Sequence, residues 1–219
     1  LLFWVPVFTK KGNLNHKRFG RYFTWAMYTV AISGFIMSSL DLIMPLTTHV
    51  PGPMMSEERT VSFAAEVRNL AVFLFSLSIL VLSSTRQGWL SILHRDDRTP
   101  LRTPIHNALL FSLVAVGAGL GVYGLSGGSV LFVIFGVLQI VIGVGSLRYN
   151  YKKELAPKEW WIEHLRDLIG SGIGAYTAFF VFGGRRIFEA LFQDVAADIS
   201  IVLWVAPGAV VDMMRFPSG

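Results

Sequence analysis

The chain has no cysteine. Disulfides, thiolate-held zinc, iron–sulfur clusters and thiol nucleophiles are thereby excluded. It is also poor in charge. Only 15% of its 219 residues are Asp, Glu, Lys or Arg, where soluble domains carry about 25%. A shortage of that size points to lipid as the solvent. Catalytic signatures are missing too: there is no P-loop, and no GxSxG or GxGxxG at the strand-to-helix turn of a soluble βαβ unit. The "GSGIG" at 170–174 lies inside an apolar run, where a phosphate would be badly placed.

What remains is apolar. Hydrophobic residues make up 53% of the chain, and the mean hydropathy is +0.55. Apolar segments lie near 23–46, 61–84, 106–125, 129–147, 164–183 and 196–214. Each is about as long as the roughly 20 helical residues a hydrocarbon core requires. Backbone groups in lipid must bond within their own segment, so helices are expected, and the alternation of barrel strands is absent. The opening "LLFWVPVF" at 1–8 is too short to cross and reads as the inner end of a further spanning helix. The expected fold is all-α: a polytopic transmembrane bundle of six full spans plus the end of a seventh, forming one integral membrane domain over 1–219.

The cations sort by loop. Lys10, Lys11, Lys17, Arg18 and Arg21 precede the first full span. The next loop holds only Arg59, the third holds Arg86, Arg95, Arg98 and Arg102, and the fourth holds none. The fifth holds Arg148, Lys152, Lys153, Lys158 and Arg166. Rich and poor loops alternate, and the rich side is cytoplasmic by the positive-inside rule. Loops 9–22, 85–105 and 148–163 are therefore expected inside, with 47–60 and 184–196 outside. The net charge of +5 is a topology signal on this reading, so nucleic acid is not an expected partner. Lipid is.

Small residues recur at helical spacing. Gly170, Gly174 and Ala178 share one face of their helix, and Gly117 and Gly121 share another. Such faces let helices approach closely. They also leave room for a flat cofactor or a lipid tail.

Four histidines fall on the inner side: His16, His94, His106 and His164. His16, His106 and His164 each sit at or just before a helix start, so their depth matches. Together they could hold a haem iron or another metal, or serve a proton or quinone site. Nearby Arg21 and Arg102 favour an anionic ligand over a bare metal ion. The plain alternative is interfacial histidines bonded to backbone or lipid headgroups.

Charges inside spans are functional candidates. Asp41, Glu66, Arg68 and Asp198 lie near outer ends and form an expected outer cluster, in which Arg68 pairs with Asp41. Gln139, polar near a span centre, is expected to make a helix–helix hydrogen bond. Trp204 and Pro207 are expected to bend the last helix.

Two stretches carry a resemblance. "HKRFGR" at 16–21 leads into a Trp-bearing span, and "EHLRDLIGSGIGAYTAFFVF" at 163–182 precedes a span containing "WVAPG". Together they resemble a family of uncharacterised bacterial polytopic membrane proteins. That family has a basic loop of His, Lys or Arg, two variable residues, Gly and Arg. It also has a late span that begins at a His and continues Ile-Gly-Ser through Thr-Ala-Phe. Leu168 stands where Met is common in that family, and the early helix is only a stub here. The resemblance implies about seven spans in a bacterial cytoplasmic membrane and no particular activity. His16, Arg21 and His164 match motif positions.

Three function classes follow. One is a cofactor-bearing or redox-linked membrane protein with an inner-face histidine site. Another is a non-catalytic subunit packed in a larger membrane complex through its glycine faces. The third is a small-solute or lipid transporter using the outer charges.

Overall fold

A computed structural model describes residues 3–10, 12–53 and 55–178. The chain forms two compact units, Leu1–Gly172 and Ile173–Gly219. In the second unit, the described residues are the last turns of one helix. Every described element is helical. In chain order these are α1 (Trp4–Phe8), α2 (Leu14–Ile43), α3 (Pro45–Thr48), α4 (Glu57–Leu93), a 3₁₀ turn (Thr99–Arg102), α5 (Pro104–Gly127), α6 (Val130–Tyr151) and α7 (Glu159–Ala178).

Four of these helices, α2, α4, α5 and α6, are long and apolar enough to cross a membrane. They coincide with the first four expected full spans. The opening segment is helical over only five residues. The expected span at 164–183 is helical as far as Ala178, and the one at 196–214, with Trp204 and Pro207, lies outside the described residues.

The helices overrun the expected spans. α4 has 37 residues, roughly 55 Å at 1.5 Å per residue, against a hydrocarbon core of about 30 Å. Its outer start is capped by Ser56, whose hydroxyl accepts from Arg59 N–H, with Glu57 and Glu58 in the first turn. Acidic residues there oppose the positive helix end. Its inner end continues to Leu93. Arg86 and Gln87 therefore belong to the helix and not to the inner loop. Likewise α2 begins at Leu14, where Asn13 Oδ1 accepts from His16 N–H at 2.8 Å. Most of the expected 9–22 loop is thus helix.

α5 and α6 form a hairpin. Gly128 closes α5 with φ of 69°, a left-handed conformation that glycine adopts without strain. The amide of Ser129 then bonds back to Gly124 O at 2.8 Å. Glycines line the contact. A Cβ on Gly117 would lie 2.9 Å from Gly136 O, and one on Gly136 would lie 2.6 Å from both Gly117 O and Gly121 N. Gly117 thus faces Gly136 inside the chain; the Gly121 backbone lies beside Gly136 too, while a Cβ on Gly121 would meet nothing within 4 Å among the described residues.

α4 packs against both neighbours. Phe73 stacks on Phe132 at 5.3 Å and meets Phe135 edge-on at 5.1 Å. Gln139 Nε2 donates to Ser76 Oγ at 2.6 Å, which is the expected helix–helix hydrogen bond. Toward α2, Gly34 leaves space for Ser78, whose hydroxyl would lie 2.7 Å from a Cβ there. The outer faces are apolar. Val130, Ile134, Val137 and Val141 make an exposed stripe along α6, spaced as one helix face.

The inner end of α6 has no glycine cap. Arg98 donates to the carbonyls of Tyr149 (2.7 Å) and Lys152 (2.6 Å), and Arg102 donates to Asn150 O at 2.8 Å. Two cations of the third loop thus satisfy orphan carbonyls and complement the negative helix end. The 3₁₀ turn that presents them is held by Asp97, which accepts from the Thr99 hydroxyl (2.7 Å) and N–H (2.9 Å). Those bonds hold the Asp97 carboxyl below its usual range.

Candidate functional site

The inner third of α4 reads "SSTRQGWLS" at 83–91. Ser83, Ser84, Thr85, Gln87, Gly88 and Ser91 are all buried. Polar groups wrapped this closely need partners, because an unmet one is costly away from water.

Gln87 supplies the centre and is fully buried. Its Nε2 donates to Asn150 Oδ1 (2.9 Å) and to Glu163 Oε1 (3.0 Å). Its Oε1 accepts from Asn150 Nδ2 (3.3 Å) and from His106 Nε2 (2.7 Å). One amide thereby links α4, α5, α6 and α7. Glu163 Oε1 accepts from Arg166 Nη2 as well, so this oxygen is an acceptor and fixes which end of the Gln87 amide faces it. That in turn assigns the Nε2–H tautomer to His106. His106 Nδ1 is then an acceptor, buried and without a partner among the described residues.

Behind Gln87 stands a carboxylate pair. Arg166 Nη2 lies 2.8 Å from Glu163 Oε1 and 3.1 Å from Asp167 Oδ1, and the two acidic side chains are 5% and 1% exposed. Arg166 Nε also donates to Asp167 Oδ1, at 3.2 Å. Asp167 Oδ2 has no hydrogen-bond partner among the described residues. Two buried carboxylates therefore share one guanidinium. Burial raises the Glu163 pKa above the usual carboxylate value, against the opposing pull of Arg166. The helix reaches this position because Gly88 admits it: a Cβ on Gly88 would lie 3.0 Å from Asp167 Cβ and 3.2 Å from His164 O. Nearer the surface, Lys152 Nζ lies 2.9 Å from both oxygens of Glu159. That contact, helped by the Ala156 N–H, lowers the Glu159 pKa.

The three histidines expected to form an inner site go to different partners. His106 docks on Gln87, and His164 Nδ1 donates to Gly88 O at 2.7 Å. Both thus meet α4 at neighbouring residues. His16 Nδ1 donates to Pro6 O of α1 at 3.0 Å. Among the described residues, no three His, Asp or Glu side chains are placed to hold a metal ion. Arg102 is engaged in capping α6 and lies over the Tyr151 ring at 5.5 Å. Arg21, on α2, is exposed.

The outer charges do not form the expected pair. Asp41 Oδ1 lies 3.3 Å from His49 Nε2, and Arg59 bonds Glu66 at 3.0 Å. Arg68 Nε donates instead to Leu42 O at 3.3 Å. Pro45 opens α3, which returns His49 to Asp41, while the last turn of α2 offers Arg68 a carbonyl with no helical partner. Asp198 lies outside the described residues. In α7, a Cβ on Gly170 would meet nothing within 4 Å among the described residues, whereas Gly172 lies against the Phe3 ring. The close approach made by the first unit's part of α7 thus uses Gly172 and Gly88, and not Gly170. Gly174 and Ala178 fall in the second unit.

Sequence reasoning passed over Gln87, Asn150, Glu163, Arg166 and Asp167. One signal was present: Glu163, Arg166 and Asp167 recur at i, i+3 and i+4, the spacing of one helix face.

No family model, no curated protein and no solved structure matches the chain.

Proposed function

We propose that the protein is a multi-pass integral membrane protein of a bacterial cytoplasmic membrane, of the kind its two motifs resemble, and that its inner-end polar cluster takes up and releases a proton. The observation that carries this reading is the sharing of Arg166 by buried Glu163 and Asp167. Two ionised carboxylates around one guanidinium leave an uncompensated buried charge, so one proton on the pair is the favoured state. Ionisable groups buried in a membrane bundle are functional by default. Proton exchange at this point serves a redox-linked reaction or solute movement. The haem reading is less well supported, because His106 Nε2 is committed to Gln87. A packing subunit is also less well supported, since Gly117 and Gly121 are used inside the chain.

The test is infrared difference spectroscopy of the protein in lipid nanodiscs. A protonated-carboxyl band should titrate between about pH 5 and about pH 9, and Glu163→Gln or Asp167→Asn should remove or shift it. A spectrum with no such band in the parent protein would refute the proton site.

Orientation is tested separately. Single cysteines in this Cys-free chain can be labelled with an impermeant thiol reagent in intact cells. Gly52→Cys should label and Lys153→Cys should not, placing the Arg98–Arg102 end of the bundle inside. The opposite pattern would invert the assignment.

A further inference from the structure

The polar cluster has an open side. A cleft of about 550 Å³ lies between the end of α6 and the start of α7, and Gly145, Arg148, Tyr149, Lys152, Glu163 and Arg166 are among its lining. Its cations are not equally engaged. Lys152 is held by Glu159. Arg166 uses Nε and Nη2 on Asp167, Glu163 and Ser146. Its Nη1 makes no hydrogen bond among the described residues and faces Gly145, where a Cβ would lie 3.7 Å away. Arg148 is exposed and likewise has no bonded partner among the described residues. The cleft thus presents one free guanidinium and the free edge of a second.

We propose that this cleft binds a compact oxyanion between Arg148 and Arg166, and that the anion and a proton are taken up together. The coupling rests on the proton reading above. Among the described residues, Arg166 is the only cation bonded to the carboxylate pair, and it borders the cleft as well. An anion that draws on the guanidinium weakens its hold on Glu163 and Asp167, which favours the proton on the pair. A proton on the pair in turn leaves the guanidinium free to hold an anion. By linkage the two effects are equal. Among the described residues, Glu159 on α7 and Tyr149 on α6 also act on Glu163, and Arg148 and Lys152 on α6 line the same cleft. Beyond these are Arg98 from the inner loop and His106 through Gln87. Tyr149 stays neutral near pH 7, so the shared arginine remains the direct link.

Oxyanions of this size come free in solution or on a lipid headgroup. Sulfate is a suitable probe, because its own charge does not change over the range studied. Its binding is measured by calorimetry in nanodiscs of phosphatidylcholine, in two buffers of different ionisation enthalpy. Sulfate should bind with up to one proton taken up, and the affinity should fall by up to about tenfold per pH unit above the titration of the pair. Arg148→Gln should weaken binding about tenfold and leave the titrating carboxyl band in place. Glu163→Gln should still bind sulfate but without the proton. Adding a small fraction of phosphatidylglycerol distinguishes the sources: displacement of sulfate identifies a headgroup, and unchanged sulfate binding identifies a soluble anion. If the carboxyl band titrates but sulfate does not bind, or binds equally to Arg148→Gln, the anion site is wrong and the proton site stands. If sulfate binds with no proton uptake although the band titrates, the coupling is wrong. If the band is absent, the proton reading fails and the coupling fails with it.

Discussion

Gly136→Leu should prevent α5 and α6 from packing. At this position a Cβ would already lie 2.6 Å from Gly117 O and Gly121 N and 2.8 Å from Gly121 Cα. All three atoms are backbone, so no side-chain rotation can make room. The helices must separate, and the contacts along the hairpin go with them. Overpacking in a core costs about 1–3 kcal/mol when side chains can adjust, and a backbone obstruction should cost more, so a loss above about 3 kcal/mol is expected. Gly170→Leu is the matched control, because among the described residues nothing lies within 4 Å of its Cβ position. It should fall within about 0.5 kcal/mol of the parent. The measurement is the midpoint of unfolding in mixed detergent micelles. A Gly136→Leu protein as stable as the parent would show that the hairpin does not form this close contact.

That pair of variants also shows what the sequence could and could not convey. Glycine spacing identified Gly117 and Gly121 as a packing face, because period is a property of the helix alone. It equally identified Gly170, whose Cβ would meet nothing among the described residues. Spacing says which residues share a face and not what stands opposite. Gly88, Gly136 and Gly172 take part in close contacts, yet none belongs to a repeat that singled it out. Hydropathy located four membrane-length helices, because apolar length is a local requirement. It misjudged their ends, since caps and polar turns prolong a helix beyond the apolar stretch. The continuation of α4 to Leu93 matters most, because it carries Arg86 and Gln87 out of a presumed loop and into the bundle.

The polar cluster was hidden for a related reason. Gln87, Asn150 and Glu163 come from three helices, and each looks like an ordinary interfacial residue in its own segment. Their convergence depends on lateral packing, which no local pattern encodes. The inner histidines show the same limit. The sequence suggested a common depth for His16, His106 and His164 and could not name their partners. Arg98 and Arg102 stand in the loop alternation of the sequence, and in the fold they cap α6. Loop charge counts record only the first.

Arg166→Met should be the most damaging change in the polar cluster, and its cost should depend on pH. The substitution removes the guanidinium bonded to Glu163 at 2.8 Å and Asp167 at 3.1 Å. Removing one partner of a buried ion pair costs about 3–5 kcal/mol. The Arg166 side chain is 43% exposed, so water already screens part of its charge, and about 2–3 kcal/mol is expected at neutral pH. Burial raises the Glu163 pKa even with Arg166 present, and without Arg166 it rises further. A carboxyl with a raised folded pKa holds more protons folded than unfolded, so stability falls as pH rises between the two values. The deficit is complete above the folded pKa and vanishes below the unfolded one, near about 4.3 for Glu. Parent and variant should therefore converge toward about pH 4 and separate as pH rises. Arg166→Lys should restore part of the neutral-pH stability, since it returns the charge without the two-pronged geometry. Glu163→Gln in the Arg166→Met background should restore part of it as well, by removing one unpaired carboxylate. If the Arg166→Met deficit is the same at every pH, the arginine stabilises the bundle by packing its aliphatic stem, and charge compensation of the pair is not its function.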